Sequence, residues 1–317
     1  MGGGGYSHQD YDTRTRTRSA TGRSAFGYTQ DIREGRAALA IHNLMDPKQL
    51  RNGVRESRDS DEHPNSIAIA TCFDETGSMD RLPPIFQAAL KRLMTYLLEH
   101  HIVVDPQLLF AAVGDYYGDH VKQVQVGQFE SDIRMDDAFD RMALEGNGGG
   151  SGEESYAQFL YFLGRHTATD CFEKRGRKGY AFITGDELSY GMPNHMQGGR
   201  TRPAISVQEA MDVFGDTIDH DLTLAEVIEM AKEKWQVFFI LPTRGTYHAG
   251  DQQIVQAWKD ALGAEHVIML DDPAHITELI AARIAMLEGT VSESLREAVV
   301  AAGVDPNFMA MAPHLEV

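Results

Sequence analysis

The chain reads as an α/β protein organised on a doubly wound, mostly parallel sheet. Three observations predict it. Short apolar runs at 66–73, 107–113, 178–184, 235–241 and 266–270 are bounded by turn residues and are too short for good buried helices. Between them lie stretches of helical periodicity. In the clearest, Ile85, Ala89, Leu93 and Leu97 repeat beside Phe86, Leu90, Met94 and Leu98 as two i, i+4 rows. Strand and helix signals alternate from 65 to 287, the order that buries a parallel sheet between two helix layers. With an antiparallel edge strand expected within 121–129, the sheet has about six strands.

Taken in order, residues 1–36 form a polar arm that begins with a run of glycines. It carries Arg14, Arg16, Arg18, Arg23, Arg33 and Arg36 against Asp10, Asp12, Asp31 and Glu34. The T-R-T-R-T-R run is polar on both faces of a strand, so the expectation is a flexible arm, or one docked on an acidic partner or a second copy. Residues 37–45 read as a short helix, and 46–64 as a charged linker. The first buried strand at 66–73 is followed by a helix that Pro83 and Pro84 can start. After the strand at 107–113, helices are expected at 135–144 and 153–164, separated by the loop E-G-N-G-G-G-S-G. The strand at 178–184 ends in G-D-E, and 188–203 reads as an exposed loop. Helices at 206–214, 223–232, 252–262 and 273–287 alternate with the last two strands. A small helix at 291–302 and a tail ending M-A-M-A-P-H-L close the chain.

Formal charge is −18, which argues against nucleic acid or an anionic membrane as the main partner. The two cysteines, Cys72 and Cys171, lie far apart and suggest no disulfide framework, so a reducing, cytoplasmic setting is expected. No apolar run is long enough to span a bilayer, and no signal-peptide pattern opens the chain.

The chemistry concentrates at the end of the first buried strand, S-I-A-I-A-T-C-F-D-E-T-G-S-M. Asp74, Thr76 and Ser78 stand at alternate positions on a turn at a C-terminal strand end, where open α/β sheets place their ligand sites. One carboxylate and two hydroxyls make a hard, weakly charged oxygen set, suited to Mg²⁺, Mn²⁺ or Ca²⁺ and not to zinc. Three further places fall at the same sheet rim: Asp115 in A-A-V-G-D, Glu154 in G-G-G-S-G-E-E, and Asp186 in F-I-T-G-D-E.

The strand-D-x-T-x-S-helix pattern resembles the metal-ion-dependent adhesion site (MIDAS) of von Willebrand factor A (vWA) domains, with Thr76 in place of the more usual serine. The likeness spans roughly 66–287. It implies that Asp74, Thr76 and Ser78 hold a divalent cation and that Glu154 stands for the glutamate of a G-G-G-D-x-P-E loop. Ser151 then replaces that loop's aspartate, and the proline is missing. The family's last ligand is the Asp of a T-D strand end. Here T-G-D is displaced by one residue, and Asp186 takes the role, with Glu187 as its stand-in. Asp115 matches an Asp that helps hold a second cation in integrin-like members; with Ser151 opposite, it is expected to orient the ligands from outside.

The resemblance further implies a non-catalytic interaction module of the intracellular bacterial kind, whose partner offers an Asp or Glu to the metal. An AAA+ ATPase of the MoxR type is one such partner. Three other readings compete. A Mg²⁺-dependent phosphotransferase of the haloacid-dehalogenase type also starts with an Asp after a buried strand, but it needs a second Asp as general acid where Thr76 stands. A phosphate loop at 145–152 lacks G-K-[ST] and is followed by Glu153 and Glu154, which would repel an anion. A purely structural assembly protein, tied through arm and tail, remains compatible with the same fold.

Overall fold

The computed structural model describes residues 6–146, 152–194, 201–302, 304 and 308. Helices α1 (His8–Thr21) and α2 (Gly27–Arg33) precede the short strand β1 (Arg55–Ser57). Strand β2 (Ser66–Asp74) leads to α3 (Leu82–Leu90) and α4 (Leu93–Glu99). Strand β3 (Asp105–Val113) is followed by the two-residue β4 (Gln125–Val126) and by α5 (Asp137–Arg141). Next come β5 (Glu153–Glu154), α6 (Tyr156–Arg165), β6 (Thr167–Thr169), α7 (Asp170–Glu173), β7 (Gly179–Thr184) and β8 (Leu188–Ser189). Helix α8 (Val207–Glu209) runs on into a wide π-helical turn over Ala210–Phe214. The chain then alternates through α9 (Leu224–Lys234), β9 (Trp235–Pro242), α10 (Gln252–Leu262), β10 (Val267–Leu270), α11 (Ile276–Glu288) and α12 (Glu293–Ala301).

The main sheet has the order β10-β9-β7-β2-β3-β4 and is parallel except at β4. β2 and β3 are buried at every residue, because helices cover both faces of the sheet; their sequences therefore read as continuous apolar runs without polar alternation. From β2 the chain passes to β3 on one side, and its later strands β7, β9 and β10 build outward on the other. Strand order thus reverses at β2, so the loops after β2, β3 and β7 open a shared crevice at their C-terminal ends. Asp74, Asp115 and Asp186 stand at those three neighbouring ends.

Several elements depart from the sequence reading. The helix expected through 98 is broken at Lys91 and Arg92 into α3 and α4. Phe86, Ala89, Leu90, Leu93, Met94 and Leu97 are buried, whereas Ile85 is 37 % exposed. The apolar face is broader than the surface it packs on. No helix forms over 37–45, where most side chains are exposed. The short helix falls earlier, at α2, because Phe26 packs edge-on to Phe139 and the buried Thr29 hydroxyl donates to the Met142 carbonyl at 2.7 Å. The charged linker supplies β1, which pairs in parallel with β6. The loop at 188–203 is not simply exposed: β8 pairs with β5, and Tyr190, Met192 and Asn194 are buried, while 195–200 lie outside the described residues.

From Tyr6 onward the polar arm is α1 and α2, and α1 lies on its own chain. Arg14 and Arg18 point at the acidic turn leading into α5: Arg14 Nε reaches Asp136 Oδ2 at 3.3 Å, Arg18 Nη1 reaches the same oxygen at 2.5 Å, and Arg14 also pairs with Asp137. A charge-bearing helix, and not an extended segment, is therefore how T-R-T-R-T-R is used.

Candidate metal centre

Asp74 ends β2 with its carboxylate fully buried. The backbone turns back on it at once: the Thr76 N–H donates to Asp74 Oδ1 at 2.8 Å and the Thr76 hydroxyl donates to the same oxygen at 2.6 Å. One 3₁₀ turn, Gly77–Met79, then brings Ser78 Oγ to 3.4 Å from Thr76 Oγ1. From there the Ser78 hydroxyl donates to Asp186 Oδ1 at 2.8 Å, and the backbone N–H of His248, in the loop after β9, donates to Asp186 Oδ2 at 3.1 Å. Asp74, Thr76, Ser78 and Asp186 are thus joined in one string of oxygens across two strand ends.

Glu154 reaches this rim through the β5–β8 pairing, which sets it opposite Ser189, close to Glu187. It is buried, and its Oε2 has no hydrogen-bond partner among the described residues. Burial comes first among the causes that push its carboxyl well up, followed by the charges of Asp74 and Glu187. Burial likewise raises Asp74 to about 7, assisted by the charge of Asp186, although the Thr76 and Tyr156 hydrogen bonds work the other way. Glu187 goes to about 8 through burial and the charges of Asp74 and Asp186. Among the described residues no Lys or Arg pairs with these acids; the nearest base is His248 Nε2, 3.4 Å from Glu187 Oε1.

A buried set of acids without a cation is costly when ionised. A divalent ion would supply the missing charge, and two hydroxyls with the Asp74 and Asp186 carboxylates, Glu154 being near enough for the charge of Asp74 to act on it, are the hard donors such an ion takes. The residues therefore fit a divalent cation. The hydroxyls are essential to that fit, since among the described residues no three His, Cys, Asp or Glu side chains gather as a metal-holding group by themselves.

Asp115 is near enough for its charge to act on Glu154 and Glu187, but its own hydrogen bonds run to other residues. Its Oδ1 accepts from the Tyr190 hydroxyl at 2.7 Å and from the Tyr117 N–H at 2.9 Å, and its own N–H donates to Asp119 Oδ2 at 2.7 Å. It ties the loop after β3 to the segment after β8, which is the geometry of a supporting residue. Ser151 lies outside the described residues.

Tyr156, the first residue of α6, is a buried core aromatic that does more than pack. Its hydroxyl donates to Asp74 Oδ2 at 2.5 Å, while its ring meets Phe239 and Trp258 edge-on at 5.4 and 5.6 Å. Trp258 Nε1 in turn donates to the Glu187 carbonyl at 3.0 Å. The ring also accounts for T-G-D in place of T-D: a Cβ on Gly185 would lie 2.1 Å from the Tyr156 hydroxyl oxygen. The glycine admits the tyrosine, and the acid moves on by one residue.

No family model and no curated protein sequence matches this chain. Among solved structures, the pilus adhesin SpaC from Lactobacillus rhamnosus GG is similar at a TM-score of 0.47 and 12% identity, over 73% of this chain and 32% of that one. A von Willebrand factor type A protein from Catenulispora acidiphila is similar at 0.37 and 16% identity, over 71% of this chain and 43% of that one. Proximal thread matrix protein 1 from the mussel byssus, in a structure with a zinc-occupied MIDAS motif, is similar at 0.38 and 11% identity, over 71% of this chain and 46% of that one. This chain therefore spans about a third of the SpaC chain and under half of the other two.

Proposed function

We propose that the chain is a divalent-cation-dependent protein-interaction module of the vWA kind, with its MIDAS at the rim of β2, β3 and β7. The observation that carries this reading is the row of oxygens Asp74–Thr76–Ser78–Asp186, in which each hydroxyl donates to its own carboxylate and the two hydroxyl oxygens lie 3.4 Å apart, with the buried Glu154 near enough for the charge of Asp74 to act on it. Asp74, Thr76 and Ser78 would hold the ion, and Glu154 and Asp186 would complete its surroundings. Once bound, the ion supplies a Lewis-acidic point that can accept an Asp or Glu from a partner.

The chain's own residues set up that point. Tyr156 fixes Asp74 from below, Ser78 and the His248 N–H fix both oxygens of Asp186, and the neutral hydroxyls leave the ion with residual positive charge. Mg²⁺ would suit such a hard, weakly charged oxygen set. No catalytic role is assigned. Thr76, whose hydroxyl is engaged by Asp74, stands where a phosphotransferase of this topology needs a general acid. A cytoplasmic, bacterial setting with a MoxR-type AAA+ ATPase as partner is the further reading that the resemblance implies.

The test is an affinity capture from cell extract with Mg²⁺ and with chelator, read by mass spectrometry. A partner retained only in Mg²⁺, and lost with Thr76→Ala and with Asp186→Ala, supports the reading. Glu297→Ala, on exposed α12, is the control and should change nothing. Partners captured equally in chelator would reject it, whatever the fold.

A further inference from the structure

Arg283, in the middle of α11, is 5 % exposed and yet has no ion pair and no hydrogen bond among the described residues. Only aromatic faces attend it: the guanidinium lies 5.5 Å from the Phe238 ring centre and 4.9 Å from that of Phe308. Such contacts offset only part of what burying a charge without a counter-ion costs. Burial lowers its pKa to about 10, and among the described residues no carboxylate offsets that.

The surroundings point to what is missing. Arg283 lines a groove of about 610 Å³ between β10 and α11, whose apolar wall includes Val267, Ile268, Leu270, Leu279, Val304 and Phe308. Among the described residues β10 pairs with β9 alone, which leaves its outer edge unpaired along this groove. Lys259, His275, Glu265, Asp271 and Asp272 also line the groove, and within it Arg283 is the buried, fork-shaped cation without a counter-ion among the described residues, complementary to an apolar body that ends in a carboxylate.

We propose that this groove is a binding site for a carboxylate carried on an apolar group, anchored by Arg283. It is separate from the rim site, and it stands or falls independently of the function proposed above. Two sources carry that chemistry. One is a free amphipathic monocarboxylate. The other is the chain's own segment 309–317, M-A-M-A-P-H-L-E-V, which continues from Phe308 at the groove and bears Glu316 among apolar residues.

The test uses the full chain with decanoate as the probe and decanol as its uncharged counterpart, followed by isothermal titration. Four proteins are compared: the unaltered chain, Arg283→Met, Arg283→Lys and Glu316→Gln. Arg283→Lys keeps a charge and guards against a folding defect in Arg283→Met, and circular dichroism checks both. Decanoate should bind the unaltered chain or Glu316→Gln, weaken at least about tenfold in Arg283→Met and less in Arg283→Lys, and outbind decanol, since a hydrogen-bonded charge contributes on that scale. Binding tightened by Glu316→Gln identifies the tail as resident carboxylate, and binding unchanged by it identifies a free ligand. Failure of decanoate to bind either the unaltered chain or Glu316→Gln overturns the proposal, as does binding that Arg283→Met and Arg283→Lys leave unaltered.

Discussion

Replacing Asp74 by Asn should make the cation-free protein more stable at pH 8, the reverse of what loss of a ligand residue does to binding. The carboxyl of Asp74 is raised from 3.8 to about 7 by burial and by Asp186. A carboxyl raised in the folded state holds more protons there than in the unfolded chain between those two values, so stability falls as pH climbs through that window. About three units at 1.36 kcal/mol each set a ceiling near 4 kcal/mol for the cost of ionising this group in the fold. Asn removes that cost and keeps an oxygen for Thr76; its amide faces the Tyr156 hydroxyl, which must turn to accept, a loss of about 1 kcal/mol. The net gain is about 2–3 kcal/mol, a rise in Tm on the order of 5 °C for a chain of this size. Thermal unfolding followed by circular dichroism in chelator, at pH 5 and pH 8, measures it. The gain should shrink to less than half at pH 5, where the folded carboxyl is already protonated. Saturating Mg²⁺ should raise the Tm of the unaltered protein and not that of the variant, by about 2.7 kcal/mol at a hundredfold excess over Kd. A variant less stable than the parent in chelator at pH 8, or a gain of equal size at both pH values, would refute the reasoning.

Gly185→Ala should destabilise by about 1–3 kcal/mol, because its Cβ would meet the Tyr156 hydroxyl oxygen; it should also weaken Mg²⁺ binding by displacing the tyrosine from Asp74, checked by denaturant melts and titration calorimetry. Arg14→Ala with Arg18→Ala leaves the buried Asp136, among the described residues, with the Gln87 amide at 3.2 Å as its remaining side-chain partner. A loss of about 2 kcal/mol is expected with no change in mass by light scattering; unchanged stability with a changed oligomeric state would show the arm docking between copies instead. A generic phosphate ester should not be turned over above background, and turnover lost in Asp74→Asn would put a phosphotransferase ahead.

What the sequence made legible is what depends on near neighbours. Asp74, Thr76 and Ser78 sit within five residues of one another on one strand-to-helix turn, so their oxygens converge whatever the rest of the chain does. The strands carrying Asp115 and Asp186 were legible as apolar runs, and parallel topology alone sets their ends beside Asp74. Long-range pairing hid the remainder. Glu187 and Glu154 are neighbours because two-residue strands β5 and β8 pair, and neither strand is long enough to show a pattern. Tyr156 looks in sequence like any core aromatic; its hydroxyl is aimed by Gly185, Phe239 and Trp258, which lie far from it along the chain. The arm offered one overlooked signal. Arg14 and Arg18 alternate with threonine as strand residues would, but four residues apart they also share a helix face, and the acids of the turn into α5 select that reading.

The most direct test of the account is isothermal titration of Mg²⁺ and of Mn²⁺ into the full chain and into Asp74→Ala. One main site in the unaltered protein, abolished in the variant while its circular dichroism is preserved, is the predicted result. No binding to the unaltered protein, or identical isotherms for both, would contradict the cation site on which the proposed function rests.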